Sequence, residues 1–178
     1  DAKKIMAQPW NFECEVHDIL QASFKEKNFN GAFSLDVLEH FEVSKEEEYF
    51  KNIIECLAPD GTFIVGMPTI NSQRFASPRS KLGHVNCKSL PELKKVCENF
   101  FHTCFGFCMN DEVVHTGFHE MANYIFVVVV IQRYDCTRCS RASALKSVAK
   151  RLSSCALLFR KNLLRPLIIF SCLHKSSN

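Results

Sequence analysis

The chain has 178 residues, 47% of them hydrophobic and 23% charged, which is ordinary for a globular protein and enough for one domain with its own core. Its net charge of +3 is unevenly spread: residues 135–178 hold nine lysines and arginines against one acid, leaving residues 1–134 mildly acidic. Ten cysteines would suit a disulfide framework or a zinc site, but Cys14, Cys56, Cys97, Cys104 and Cys108 fall in apolar patterns, where a free thiol behaves as a small hydrophobe. Cys136-Thr-Arg-Cys139 is the one C-x-x-C and has no second pair at zinc spacing. Reduced thiols and the lack of a signal peptide lead to the expectation of a cytoplasmic protein.

Residues 2–7 read as the end of a helix stopped by Pro9, and residues 12–16 alternate apolar and polar as a half-exposed strand does. His17-Asp18-Ile19-Leu20 closes that strand, and residues 21–30 are polar and loop-like. An apolar strand over residues 31–35 then ends in Asp36-Val37-Leu38-Glu39-His40. Ser44-Lys45-Glu46-Glu47 has the form of a capping box, and Tyr49, Phe50, Ile53, Ile54 and Leu57 follow at helical spacing. Pro59-Asp60-Gly61 stops the helix before a second apolar strand, residues 62–67. A β-α-β unit of this kind predicts two parallel strands joined by a right-handed crossover.

Residues 69–83 lose hydrophobic periodicity and read as a long polar loop, carrying Arg74, Arg79 and Lys81. Leaving the carboxyl end of a strand, such a loop is expected to lie over a site. Its three cations suit an anionic acceptor, or are simply solvated. Ser89-Leu90-Pro91-Glu92 is a second capping box, with Leu90, Leu93, Val96, Cys97 and Phe100 as the buried stripe of its helix. Residues 101–107 form an aromatic-rich strand, residues 109–118 a polar hairpin, and Tyr124–Gln132 a run so apolar that it predicts a strand covered on both faces. In the tail, Leu145, Val148, Leu152, Cys155, Ala156, Phe159 and Leu163 recur at helical spacing among cations. That predicts a basic amphipathic helix suited to a peripheral membrane or protein contact. Leu167–Leu173 is shorter than the ~20 residues that span a bilayer. The cations lack interleaved aromatics, so no specific nucleic-acid binding is expected.

The run Asp36-x-x-Glu39-His40 followed by Leu57-Ala58-Pro59-Asp60-Gly61 resembles the second half of a class I S-adenosylmethionine-dependent methyltransferase, of the small-molecule, ubiquinone-pathway-like kind. In that family an acidic-x-x-Glu-His run follows the fourth strand and L-x-P-G-G precedes the fifth; Asp60 stands here in place of one glycine. The resemblance covers about residues 11–132. It implies an α/β, Rossmann-like methyltransferase fold with a mostly parallel sheet and an antiparallel last strand. Residues 1–134 would be a partial methyltransferase domain and residues 135–178 its tail.

The implied cofactor is S-adenosylmethionine, and the implied reaction is methyl transfer to an oxygen or nitrogen of a small molecule. Asp18 would accept from the adenine amino group, with Ile19 beside it, and Ser34, Leu35 and Asp36 would line the cofactor pocket. His84 and Asn86, in the turn Gly83-His84-Val85-Asn86, would face the substrate. His40 has three readings: a general base for the acceptor, a ligand with Asp36 and Glu39 for a divalent ion of the sort some ubiquinone-pathway relatives use, or a structural partner of Glu39. The residue set expected to act is catalytic His40 with no metal. No G-x-G-x-G occurs in the chain, so the family's N-terminal strands and glycine-rich loop are expected to be missing and the chain to be a fragment unable to bind the cofactor tightly. The competing reading is a non-catalytic interaction protein that keeps part of the fold.

Overall fold

A computed structural model describes residues 15–111, 113–132 and 166–169. Strand β1 (Phe29–Leu35) leads through two 3-10 turns, Leu38–His40 and Val43–Lys45, into helix α1 (Glu46–Ile54) and strand β2 (Leu57–Pro68). A 3-10 turn (Ile70–Phe75) and helices α2 (Pro78–Gly83) and α3 (Leu90–Cys97) follow. Then come β3 (Phe101–Asn110), β4 (Val113–His115), a 3-10 turn (His119–Met121), β5 (Tyr124–Gln132) and β6 (Pro166–Ile169).

The six strands form one sheet in the order β4-β3-β5-β2-β1-β6. β1 and β2 are adjacent and parallel, with Ala32 opposite Phe63 and Leu35 opposite Gly66, as the β-α-β reading requires. β5 runs antiparallel beside β2, as the resemblance implies for the last strand. The sheet as a whole is nevertheless mostly antiparallel, contrary to expectation. β1 pairs in parallel with β2 and β6, whereas β2–β5, β3–β5 and β3–β4 are antiparallel. The cause is local: β3 turns back on itself into β4 at Asp111, a left-handed residue (φ 50°), and β5 returns between β3 and β2.

Helices α1 and α3 build the core. Tyr49, Phe50 and Ile53 of α1 are fully buried, as are Phe63, Val65 and Met67 on alternate positions of β2 and Ile125, Val127 and Val129 of β5. Phe50 stacks on Phe100 at 4.8 Å and meets Phe63 and Phe101 edge-on at 6.3 and 6.4 Å, so one ring ties α1 to β2 and to the junction between α3 and β3. Leu93 and Cys97 of α3 are buried in the same cluster. The intervening residues of β5, Tyr124, Phe126 and Val128, are only half-buried, so this strand is not covered on both faces as its composition suggested. Phe107 and Phe126 instead stack on each other at 5.2 Å on the second face.

Three local expectations need correction. The Ser44–Glu47 capping box is not made: α1 begins at Glu46 after a 3-10 turn, no side chain caps it, and Glu47 pairs with Lys51 one turn on. Glu46 is drawn into a buried ion pair with Lys88 at 2.6 Å. Residues 69–83 are not an irregular loop but two short helical turns, each opened by a hydroxyl cap. Thr69 accepts from the Ser72 amide, and Ser77 accepts from the Ser80 amide with Pro78 in the first turn. Of the strand expected over residues 12–16, only Glu15 and Val16 are described; both are irregular, and Val16 is fully exposed. The second capping box, Ser89 with Glu92, is formed in both directions. The expected tail helix lies outside the described residues.

Because Phe50 fills the contact among α1, β2 and the junction between α3 and β3, Phe50→Ala should cost about 3–5 kcal/mol. Urea unfolding should show the midpoint falling while the dependence on urea stays unchanged.

Candidate functional site

The parallel strands β1 and β2 end side by side, and the chain leaves both at the same end of the sheet. There β1 turns sharply at Asp36, whose backbone is left-handed (φ 56°) and whose amide donates to the Gly66 carbonyl of β2 at 3.1 Å. The following 3-10 turn presents Glu39 and His40.

Three hydrogen bonds tie this turn to the end of α2. The Glu39 carbonyl accepts from the amides of Val85 (2.9 Å) and Asn86 (3.0 Å), and the His40 Nδ1 lies 2.9 Å from the Gly83 carbonyl. These bonds bring His84 against His40, with ring centroids 5.1 Å apart. A carbonyl can only accept, so Nδ1 of His40 carries a proton, and in the neutral ring Nε2 is the nitrogen with the lone pair. His84 makes the same use of its Nδ1, 2.9 Å from the Gln73 Oε1. Burial, and next the neighbouring His40, lower the His84 pKa and keep that ring neutral near pH 7.

Glu39 is fully buried, and neither carboxylate oxygen has a hydrogen-bond partner. Burial is the main cause that raises its pKa to about 7; the nearby Asp36 charge adds to the rise. One carboxylate oxygen of Glu39 and one nitrogen each of His40 and His84 lie within 4.8 Å of one another, close enough to share a cation. Asp36, the third member of the expected ion-binding set, is replaced in this cluster by His84.

The remaining expected site residues are distributed as follows. Leu35 is 44% exposed at the strand end. Ser34 is buried on the helix-covered face, where its hydroxyl neighbours that of Tyr49. Asp18 is exposed and serves its own turn, accepting from the Leu20 amide and the Gln21 side chain. Ile19 is part of the core. Asn86 is buried, donating to Glu46 at 2.8 Å and accepting from Lys88 at 2.7 Å, so its side chain is fully engaged away from the histidines.

Two residues at this end of the sheet have no motif to announce them. A Cβ on Gly66 would stand 2.8 Å from Leu35 Cδ2 and 2.9 Å from Tyr124 Cε1, so only glycine lets these side chains close over β2. The Tyr124 hydroxyl is buried without a hydrogen bond of proper geometry; burial first, then the Asp36 carboxylate, push its pKa up. Beyond His84, the 3-10 turn and α2 enclose a groove of about 450 Å³ between Pro68, Gln73, Phe75, His84 and Asn123. Arg74 stacks over Phe75 at 4.5 Å, and Lys81 donates to the Arg74 carbonyl.

The model of the family described as "Methyltransferase domain" matches residues 1–65. Among solved structures, the chain is similar to the PH0226 protein from Pyrococcus horikoshii OT3, with a TM-score of 0.52 and 19% identity over 74% of this chain and 65% of that one. It is also similar to the small RNA methyltransferase HEN1, with a TM-score of 0.50 and 12% identity over 70% of this chain and 16% of that one. A third similar structure comes from work on conversion of a disulfide bond into a thioacetal group during echinomycin biosynthesis; its TM-score is 0.50, with 12% identity over 85% of this chain and 66% of that one. The chain spans less than two thirds of the first two. No curated protein matches the sequence. The fold is thus Rossmann-like, as in these neighbours, and the family match over residues 1–65 takes in both runs that carry the resemblance, Asp36–His40 and Leu57–Gly61.

Two outcomes follow. Glu39 keeps its proton up to about pH 7 when folded but releases it near 4.5 when unfolded, so the folded state binds more protons between those values. Stability should therefore fall as pH rises through that window, by up to about 3 kcal/mol. Urea midpoints measured at pH 5 and pH 8 in the presence of a chelator should differ, and Glu39→Gln should remove most of the difference. Gly66→Ala should destabilise the fold by about 1–3 kcal/mol through overpacking against the Tyr124 ring, a loss that Tyr124→Leu in the same chain should partly relieve.

Proposed function

We propose that this chain is part of an S-adenosylmethionine-dependent methyltransferase acting on a small-molecule oxygen or nitrogen, with His40 as the general base. The observation that carries this reading is the His40 ring, fixed through Nδ1 to Gly83 with Nε2 free, at the carboxyl ends of two parallel strands. Ligands in open α/β sheets lie in that position. The cofactor supplies an activated methyl group. What the chain supplies is alignment and a proton acceptor: Leu35 and the Gly66 gap shape the strand end, while Asp18 retains acceptor capacity for an adenine amino group. The acceptor oxygen or nitrogen would bond to the methyl carbon as the methyl–sulfur bond of the sulfonium breaks and the neutral thioether leaves, and the acceptor's proton would pass to His40 Nε2. Arg74, Arg79 and Lys81 on the covering segment favour an acceptor bearing a carboxylate or phosphate.

A second reading has its own observation. The unpartnered buried carboxylate of Glu39 and one nitrogen each of His40 and His84 form a donor set suited to a divalent cation. Such a cation would orient an acceptor hydroxyl in place of a general base. The proposed protein acts on a ubiquinone-pathway-like substrate in the cytoplasm, makes a peripheral membrane or protein contact through its basic tail and binds no specific nucleic acid. Among the described residues no helix is long and apolar enough to cross a membrane.

The test uses the longest natural protein containing this chain, incubated with methyl-labelled S-adenosylmethionine and a small-molecule extract. His40→Ala should lower turnover about 100-fold or more while leaving cofactor affinity within twofold. Asp18→Ala should weaken cofactor binding by about 1–3 kcal/mol in calorimetry. Activity that survives His40→Ala overturns the base assignment. Activity restored to chelated protein by a divalent ion, and lost in Glu39→Gln, selects the second reading.

A further inference from the structure

The far side of β1 is covered by a strand that lies more than 130 residues away in sequence. β6 pairs in parallel with β1, with Gly31 opposite Pro166, Ala32 opposite Leu167, Phe33 opposite Ile168 and Ser34 opposite Ile169. It is four residues long and is, among the described residues, the last strand of the sheet on that side.

The alternation of a parallel ladder assigns the backbone groups. The Asp36 amide donates to Gly66 of β2, so the amides of Ala32 and Ser34, two and four residues earlier, point to β2 as well. Those of Gly31 and Phe33 point the other way, toward β6. On β6 the same alternation directs Leu167 and Ile169 at β1 and turns Pro166 and Ile168 outward. Pro166 thus stands at the one kind of position a strand allows it: the first residue, with its missing amide facing away from the ladder.

We propose that residues 166–169 are an edge cover, a strand supplied by the chain's own tail that seats on β1 and blocks its backbone from pairing with another molecule. An uncovered β1 edge would present the unpaired groups of Gly31, Phe33 and Leu35, a template for association. The occupant is the chain's own tail rather than a second copy's. β5 ends and β6 begins at the same end of the sheet, with Val130 opposite Thr62 and Pro166 opposite Gly31 beside it. These positions are three strand spacings apart, about 14 Å at ~4.8 Å each, and the 33 intervening residues reach many times that distance. The cover is separable because β1 keeps its full ladder to β2 without it.

Amide hydrogen exchange resolved by residue tests this on the full chain and on the double variant L167P/I169P, which removes both inward amides of β6. The Phe33 amide should exchange at least tenfold faster in the variant, while the Ala32 and Ser34 amides keep their protection. Sedimentation should show a monomer for the full chain and concentration-dependent association for the variant. An unchanged Phe33 amide overturns the proposal. Loss of protection at Ala32 and Ser34 together with Phe33 also overturns it, because β6 would then be an integral strand rather than a cover. A full-chain dimer that the double substitution dissolves overturns it in favour of exchange between copies.

Discussion

The parallel pairing of β1 with β2 is the constraint from which the remaining arrangement follows. Two parallel neighbours cannot be joined by a hairpin, so the chain must cross from one end of the sheet to the other, and α1 makes that crossing. The crossing is held by Tyr49, Phe50 and Ile53, which leave water completely against the strands they connect. Parallel alignment also brings the two strand ends together, and with them Asp36, Gly66 and the turn that bears Glu39 and His40. The antiparallel strands widen the sheet on one side without altering that junction.

The junction is polar in an unusual way. Glu39 spends its backbone carbonyl on two amides from the 84–86 turn, yet its carboxylate has no partner. A buried carboxylate in that condition is costly when ionised, and its raised pKa expresses the cost. By contrast, the nearby Glu46–Lys88 pair, completed by Asn86, shows how the same fold satisfies a buried charge when no chemistry is asked of it. The two glutamates are seven residues apart and have opposite circumstances.

What the sequence made legible was whatever is written in local pattern. The apolar runs of β1, β2 and β5 and the stripe of α1 gave the β-α-β unit, and the reciprocal Ser89–Glu92 box marked the start of α3. Ser44 offered the same four-residue pattern and was misleading. The decisive partner of that helix start is Lys88, more than 40 residues on, and no window around Ser44 contains it. The pairing of His40 with His84, the glycine requirement at residue 66 and the buried hydroxyl of Tyr124 were illegible for the same reason: each exists only once distant segments meet. The sheet's direction was not legible because the resemblance speaks for the family's whole sheet, whereas β3, β4 and β5 pair antiparallel here, and β6 lies in the short apolar run from Leu167, which was read only against the length of a membrane span.

The segment that covers the site leaves the sheet and returns to it at one point. Thr69 and Lys88 form an isolated bridge, with the Ile70 amide donating to the Lys88 carbonyl at 3.0 Å, so the intervening chain is a loop closed at its neck. Its caps, Thr69 and Ser77, lie within the loop itself. Elsewhere the loop is tied through Asn71 to the Glu120 carbonyl and through residues 83–86 to the Glu39–His40 turn. The stretch between those ties can be lengthened or shortened at small entropic cost, since closure depends weakly on loop length once the ends are fixed. This segment is therefore free to diverge in length and sequence while the sheet and the His40 turn stay as they are.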